Sequence, residues 1–243
     1  MGSYGLDTNN QLTSISTTQI RFWGVPNFFV RYGNDGNMSN PNAELRNAFA
    51  WGARYLGLVW PSYDIQTTGD YSTGYNHGTM FCNNALWFWE QVSPLWLSAQ
   101  GSLYLYLDQE PSQTTSPSYW HGYADAVNGF KWSGGSYPLW ATLYCSPAAP
   151  QPNCTLSPAP QAIWSSEPEY CGWCKHFGQE PSGGRPDTCG GHPPVIAWQY
   201  QIDGVCIKCN SYKPPVDANY SGLYDNSAMG DAVANMYVLV RSP

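Results

Sequence analysis

Ser102-Leu-Tyr-Leu-Tyr-Leu-Asp-Gln-Glu-Pro111 alternates strictly. Leu103, Leu105 and Leu107 point one way; Tyr104, Tyr106, Asp108 and Glu110 point the other. An apolar strand with acids only at its C-terminal end suits a parallel β/α sheet. The leucines would pack on helices and the tyrosines would fill an interior. The acids would emerge at the rim where α/β enzymes keep their chemistry. Residues two apart on one strand face stand roughly 6.5–7 Å apart. At that spacing two carboxylates perturb each other and can flank one scissile bond. The same pattern also fits a strand that ends in solvated acids before a turn.

Composition narrows the setting. At 243 residues the chain is long enough for a sizeable core. Charged residues make up only 11% and aromatic residues 16%, which argues against disorder. A polar, uncharged, aromatic-rich surface suits a secreted protein that handles carbohydrate, because sugars stack on Trp and Tyr faces. The net charge of −7 argues against nucleic acid as a partner. No apolar run is long enough for a membrane span. Met1-Gly2-Ser3 reads as an expression scar from which a leader has been trimmed. An even set of eight cysteines points to disulfides and an oxidising, extracytoplasmic compartment.

Elsewhere, short strands alternate with helices and loops. Strands are expected at Tyr4–Thr8, ending in Asp7, at Asn27–Tyr32, Tyr55–Trp60, Pro138–Cys145, Gln161–Trp164 and Val195–Tyr200, and at Val216–Asn219. Helices are expected over Ser16–Phe22, Pro41–Ala53, Thr79–Val92 and Pro117–Phe130, and in the tail from Ser227. The Gly-, Thr- and Tyr-rich residues up to His77 read as a loop. Residues 171–194 are rich in Cys, Gly and Pro and read as an irregular insertion. The expected fold is α/β, a single TIM-like (β/α) barrel domain over residues 1–243, irregular in its second half.

Four motifs now stand in order: Gly5-Leu-Asp7, Asp108-Gln-Glu110, Trp198-Gln-Tyr200 and Val216-Asp-Ala-Asn219. This set resembles the family-25 glycoside hydrolases, the lysozyme-type muramidases. Phe29-Val-Arg-Tyr32, Gly74–Ala85 and Tyr137–Tyr144 are similar to a sister group, the bacterial glycoside-hydrolase-like domains. The resemblance implies Glu110 as general acid/base and Asp108 as an ionised carboxylate that assists an N-acetyl group. Asp7 and Asp217, on neighbouring strands of a closed barrel, would complete an acidic floor. It implies a polysaccharide substrate, amino-sugar containing and most plausibly peptidoglycan, and no cofactor.

Two neighbouring acids in a tyrosine-lined mouth cannot both ionise cheaply, so one is expected to hold a proton near neutral pH. Arg31 is positioned either to pair with these acids or to form a structural ion pair elsewhere. Tyr32, Trp60, Tyr63, Tyr144, Trp164, Trp198 and Tyr200 lie at or near strand C-termini, as sugar-stacking or as core residues. Trp198 is the strongest stacking candidate. Cys145 and Cys154 bracket a Pro-rich loop and are the first pair expected to form a disulfide. Cys171, Cys174, Cys206 and Cys209 have the spacing of a structural zinc site, with disulfides the preferred reading. The polar run after Asp7 and the cysteine-rich insertion depart from the family pattern. They keep a non-catalytic, glycan-binding or structural barrel open as the alternative to a hydrolase.

Overall fold

Period-two alternation divides the side chains of one strand between two cores. Leu103, Leu105 and Leu107 join a cluster outside the sheet, with Tyr119, Trp120, Tyr123 and Val127. Tyr104 and Tyr106 join a second cluster with Phe28, Val30, Val59, Tyr144 and Trp164. Each fully buried leucine contributes roughly 1.5–3 kcal/mol. A strand buried on both faces is what a parallel barrel requires. The structure, a computed structural model, describes residues 3–8, 10–18, 20, 25–32, 41–61, 65–92, 103–109, 114–131, 138–147, 152–166, 189–190, 193–201, 217–221 and 237–238.

Seven strands run parallel in chain order: β1 (Ser3–Thr8), β2 (Phe28–Tyr32), β3 (Tyr55–Trp60), β4 (Leu103–Asp108), β5 (Leu139–Cys145), β6 (Ile163–Ser165) and β7 (Val195–Gln201). The eighth, β8 (Asp217–Ser221), runs antiparallel to both β7 and β1 and closes the ring. An antiparallel neighbour needs no crossover helix, which fits the absence of helical periodicity in the second half of the chain. A short β9 (Tyr237–Val238) pairs with the start of β3. The rest of the expected tail helix lies outside the described residues.

Helices among the described residues include α1 (Pro41–Ala50), α2 (Ile65–Thr68), α3 (Tyr71–Val92) and α4 (Pro117–Gly129). Helix α1 stops short of the expected Ala53, and Gly52 follows at φ +108°, a conformation that favours glycine. Helix α4 is capped by Ser116, whose Oγ accepts from the Tyr119 N–H, with Pro117 in the first turn. Helix α3 begins well before the expected Thr79. Asp70 caps it by accepting from both the N–H and the hydroxyl of Thr73, each at 2.8 Å. Those bonds hold the Asp70 carboxyl below its ordinary range, the Thr73 N–H contributing most.

The glycines that make this first half of α3 read as a loop have a packing purpose. A Cβ on Gly74 would collide with the Tyr119 carbonyl, and one on Gly78 with that of Tyr123. From the other side, a Cβ on Gly122 would collide with the Tyr71 carbonyl. Helices α3 and α4 therefore approach backbone to backbone, and the cost of glycine in a helix is offset by contact. On α3, Phe81 and Leu86 are buried and Trp87 is 48% exposed.

The expected Cys145–Cys154 bridge is replaced by Cys154–Cys189, with a Cα–Cα distance of 5.4 Å. Cys145 ends β5 inside the outer core, where strand alternation fixes its side chain among apolar neighbours. Cys154 sits in a 3₁₀ turn (Pro152–Thr155) and reaches Cys189 just before β7. The bridge thus straddles β6 across a sequence separation of 35. Cys171, Cys174, Cys206 and Cys209 lie outside the described residues. Among the described residues, no helix is long and apolar enough to cross a membrane.

Closing a loop of this length stabilises a fold by about 3–4 kcal/mol in the chain-entropy estimate. Reduction, or Cys154→Ser, should therefore lower the unfolding free energy by that order, while Cys145→Ser leaves the bridge in place. Urea titrations with and without reductant, alongside peptide mapping, check this.

Candidate functional site

The parallel strands all end at one rim, and β8, being antiparallel, begins there. Asp7 is next to last in β1 and Asp108 is the last residue of β4. Strand parity puts Asp108 on the face of Tyr104 and Tyr106, the barrel interior. Asp7 shares a face with Gly5, whose missing Cβ leaves space for the Phe28 ring. The backbone of Asp7 pairs directly with that of Asp217, so the two expected floor acids occupy opposed positions on neighbouring strands. Both described acids are nearly covered, Asp7 at 5% exposure and Asp108 at 1%. Glu110 lies outside the described residues, as do Tyr63 and the side chains of Tyr200 and Asp217.

Beneath the acids the interior is packed around Trp164. Tyr106, Tyr144 and Phe28 meet its ring edge to face at centroid distances of 5.3, 5.5 and 6.4 Å. Asp7, Val30, Tyr32, Val59, Tyr144 and Trp164 line a concavity of about 200 Å³ that includes open solvent. The described part of the mouth is thus a small recess between these side chains, open to solvent on one side.

Of the aromatic candidates, Tyr32, Tyr144 and Trp164 face this concavity. Trp60 and Trp198 do not. Both belong to the cluster outside the barrel, and Trp198 is only 1% exposed. Trp60 packs there against Phe81 at 5.4 Å and His77 at 5.9 Å. Strand-end position alone does not determine which face a residue takes. Adjacent residues take opposite faces, so Val59 and Gln199 point inward and Trp60 and Trp198 outward.

Arg31 likewise faces outward. Its Nε donates to Glu44 Oε2 at 2.7 Å and its Nη2 to Glu44 Oε1 at 3.3 Å. Its Nη1 donates to the Thr8 carbonyl at 2.7 Å. Arg31 thus forms the structural ion pair rather than a pair with the mouth acids. It ties α1 to the end of β1, one residue beyond Asp7. Removing either partner would leave a buried charge, at a cost of roughly 3–5 kcal/mol.

Gln199 was not apparent as a site residue from sequence. It is buried on β7, and its Nε2 donates to Asp7 Oδ2 at 3.3 Å. Its Oε1 accepts from the Tyr144 hydroxyl. The only sequence signal for it was its place within Trp198-Gln-Tyr200. His77, expected at the end of a loop, sits within α3 with Nδ1 2.8 Å from the Tyr119 hydroxyl. Burial pushes its pKa down from the ordinary 6.5.

No family model and no curated protein matches this chain. Solved structures do. An uncharacterized B. stearothermophilus protein aligns with a TM-score of 0.64 at 15% identity, over 97% of this chain and 100% of that one. The Clostridium perfringens spore cortex lytic enzyme SleM aligns at 0.58 and 13% identity, over 90% and 67%. A family 25 glycosyl hydrolase from Bacillus anthracis aligns at 0.52 and 16% identity, over 92% and 89%. At these identities the likeness is one of fold, a glycoside-hydrolase-like barrel.

Two outcomes follow from the placements. Trp198→Ala should cost about 3–5 kcal/mol of stability, as for a large core ring; a loss under about 1 kcal/mol in urea unfolding would place the ring outside the core. For His77, the fold favours the neutral ring. Its contribution to stability is therefore full above the unfolded-state value of 6.5 and is lost as pH falls through the lower folded-state value. Between about pH 7.5 and about pH 5.5, His77→Gln should lose less stability than the parent chain. Equal losses would remove His77 as a source of the acid sensitivity.

Proposed function

We propose that this chain is a secreted glycoside hydrolase acting on an amino-sugar polymer, with peptidoglycan the foremost candidate. The observation that carries the reading is that Asp7 and Asp108, from non-neighbouring strands, stand at the same end of the interior of a glycoside-hydrolase-like barrel. Two structural neighbours, a spore cortex lytic enzyme and a family 25 glycosyl hydrolase, support that class of chemistry. The disulfide supports an oxidising, extracytoplasmic setting. Residues 1–243 form one barrel domain in this reading, with residues 171–194 as an insertion.

Glu110, two residues beyond Asp108, is the proton donor to the leaving glycosidic oxygen. Asp108 stays ionised and orients the acetamido group, whose carbonyl oxygen attacks the anomeric carbon as the glycosidic bond breaks. Water then opens the resulting ring, giving its proton back to Glu110. Asp7 and Asp217 hold the sugar from the other side of the mouth. This chemistry needs no cofactor. A second reading, a barrel that binds glycan without cleaving it, is favoured by one observation. The described acids are almost wholly covered, and Trp164 and Tyr106 close the space beneath them.

Release of reducing ends from peptidoglycan and from chitin oligomers separates the two. The parent chain should release them, and Glu110→Gln should lose about 10²–10⁴-fold in rate while retaining its circular dichroism. No release by the parent chain would replace the hydrolase with the binding barrel.

A further inference from the structure

The Asp7–Gln199–Tyr144 chain has a direction that follows from the donor inventory of its members. An ionised carboxylate only accepts hydrogen bonds. The Gln199 group facing Asp7 Oδ2 at 3.3 Å is therefore its NH₂, which leaves Oε1 to face Tyr144. An amide oxygen only accepts, so the Tyr144 hydroxyl spends its single proton on Gln199. Any further partner of the Tyr144 oxygen must then donate to it. Asp7 and Tyr144 both line the concavity, and Gln199, buried on β7, joins them.

We infer that Gln199 is a positioning residue: it holds the Asp7 carboxylate through its amide N–H and carries that polarity on to Tyr144, whose oxygen is left as a second acceptor. That corner of the concavity accordingly seats a donor-bearing substituent of a neutral amino sugar, a hydroxyl or an amide N–H, and turns away carboxylates and phosphates. The ligand half of this inference rests on the glycan reading above; the polarity half does not.

The groups around Asp7 define what else can move its titration. Asp217 is its backbone partner on β8, and Val30 is its partner on β2. Tyr32, Tyr144 and Trp164 share its concavity, and Asp108 ends β4 in the same interior. Arg31 reaches the Thr8 carbonyl from the opposite face and is paired with Glu44. Among these groups, Gln199 is one whose N–H reaches the Asp7 carboxylate.

The test is carboxyl ¹³C titration of Asp7 in the parent chain, Gln199→Leu and Gln199→Glu, each with a urea midpoint as a check on folding. Loss of the amide donor should raise the Asp7 midpoint by on the order of one pH unit. A glutamate there should raise it further and couple it to a second titration. Tyr144→Phe keeps the donor to Asp7, so it should shift the midpoint less than Gln199→Leu does. Unmoved midpoints in folded Gln199 variants would overturn the inference, because a purely structural glutamine would alter stability alone. In parallel, chitotetraose and a uronic-acid tetramer are titrated by calorimetry. Chitotetraose should bind the parent chain in preference to the uronate and weaken about tenfold in Gln199→Leu, the loss of one buried hydrogen bond to a charged group. Equal binding of both sugars, or unchanged binding in the variant, would overturn the ligand half. Binding of neither sugar would overturn the ligand half, while reducing-end release from peptidoglycan decides the glycan reading separately and the Asp7 titration decides the polarity.

Discussion

A ring of eight strands has one interior, and that interior must be filled by side chains. The rest of this structure follows from that constraint. Trp164 occupies the middle with Tyr106, Tyr144 and Phe28 against its edges. Phe28 fits because its partner across the sheet, Gly5, has no side chain. The space below is taken largely by aromatic rings, with Thr142 the small polar group among them, and the carboxylates on the same faces stand at the rim. The interior acids at Asp7 and Asp108 are the outcome. β8 completes the ring by running antiparallel between β7 and β1, and it brings Asp217 opposite Asp7.

Polar groups at such a rim must be held without much water. Gln199 and Tyr144 do this for Asp7 from strands β7 and β5. On the outer face, Arg31 ties Glu44 of α1 to the Thr8 carbonyl, fixing the chain as it leaves β1. The α3–α4 pair supports the other flank. Its glycines let two backbones touch, and the helices bury Phe81, Tyr119 and Tyr123 in one cluster with Leu58, Leu105 and Leu143 of β3, β4 and β5. The two networks are separate: one charged and outside the barrel, one neutral-to-acidic and inside it.

Much of the barrel was legible because strict alternation has few solutions. Leu103, Leu105 and Leu107 could only face helices if Tyr104, Tyr106 and Asp108 faced inward, and that is the arrangement found. The stacking candidates at Trp60 and Trp198 show where such reading fails. Both sit near strand ends, but their parity turns them outward, and parity is decided by how the ring closes. Irregular registers between Ile163 and Trp164 and between Gln199 and Gln201 make that parity harder to count along β6 and β7. The first half of α3 was hidden because Gly74 and Gly78 oppose helix by propensity and favour it only against Tyr119 and Tyr123 of α4.

Local pattern, acting over a few residues, was enough to determine the strands, most helices and the acids that end β1 and β4. These depend on periodicity and on turn chemistry, which neighbours in the chain impose on one another. Pairing between distant residues was decided only by the tertiary structure. Cys154 meets Cys189 rather than Cys145, Arg31 meets Glu44 rather than a mouth acid, and Gln199 meets Asp7. Each of these choices depends on which groups the closed ring brings within bonding distance, and that distance is set by the whole sheet rather than by any segment of it.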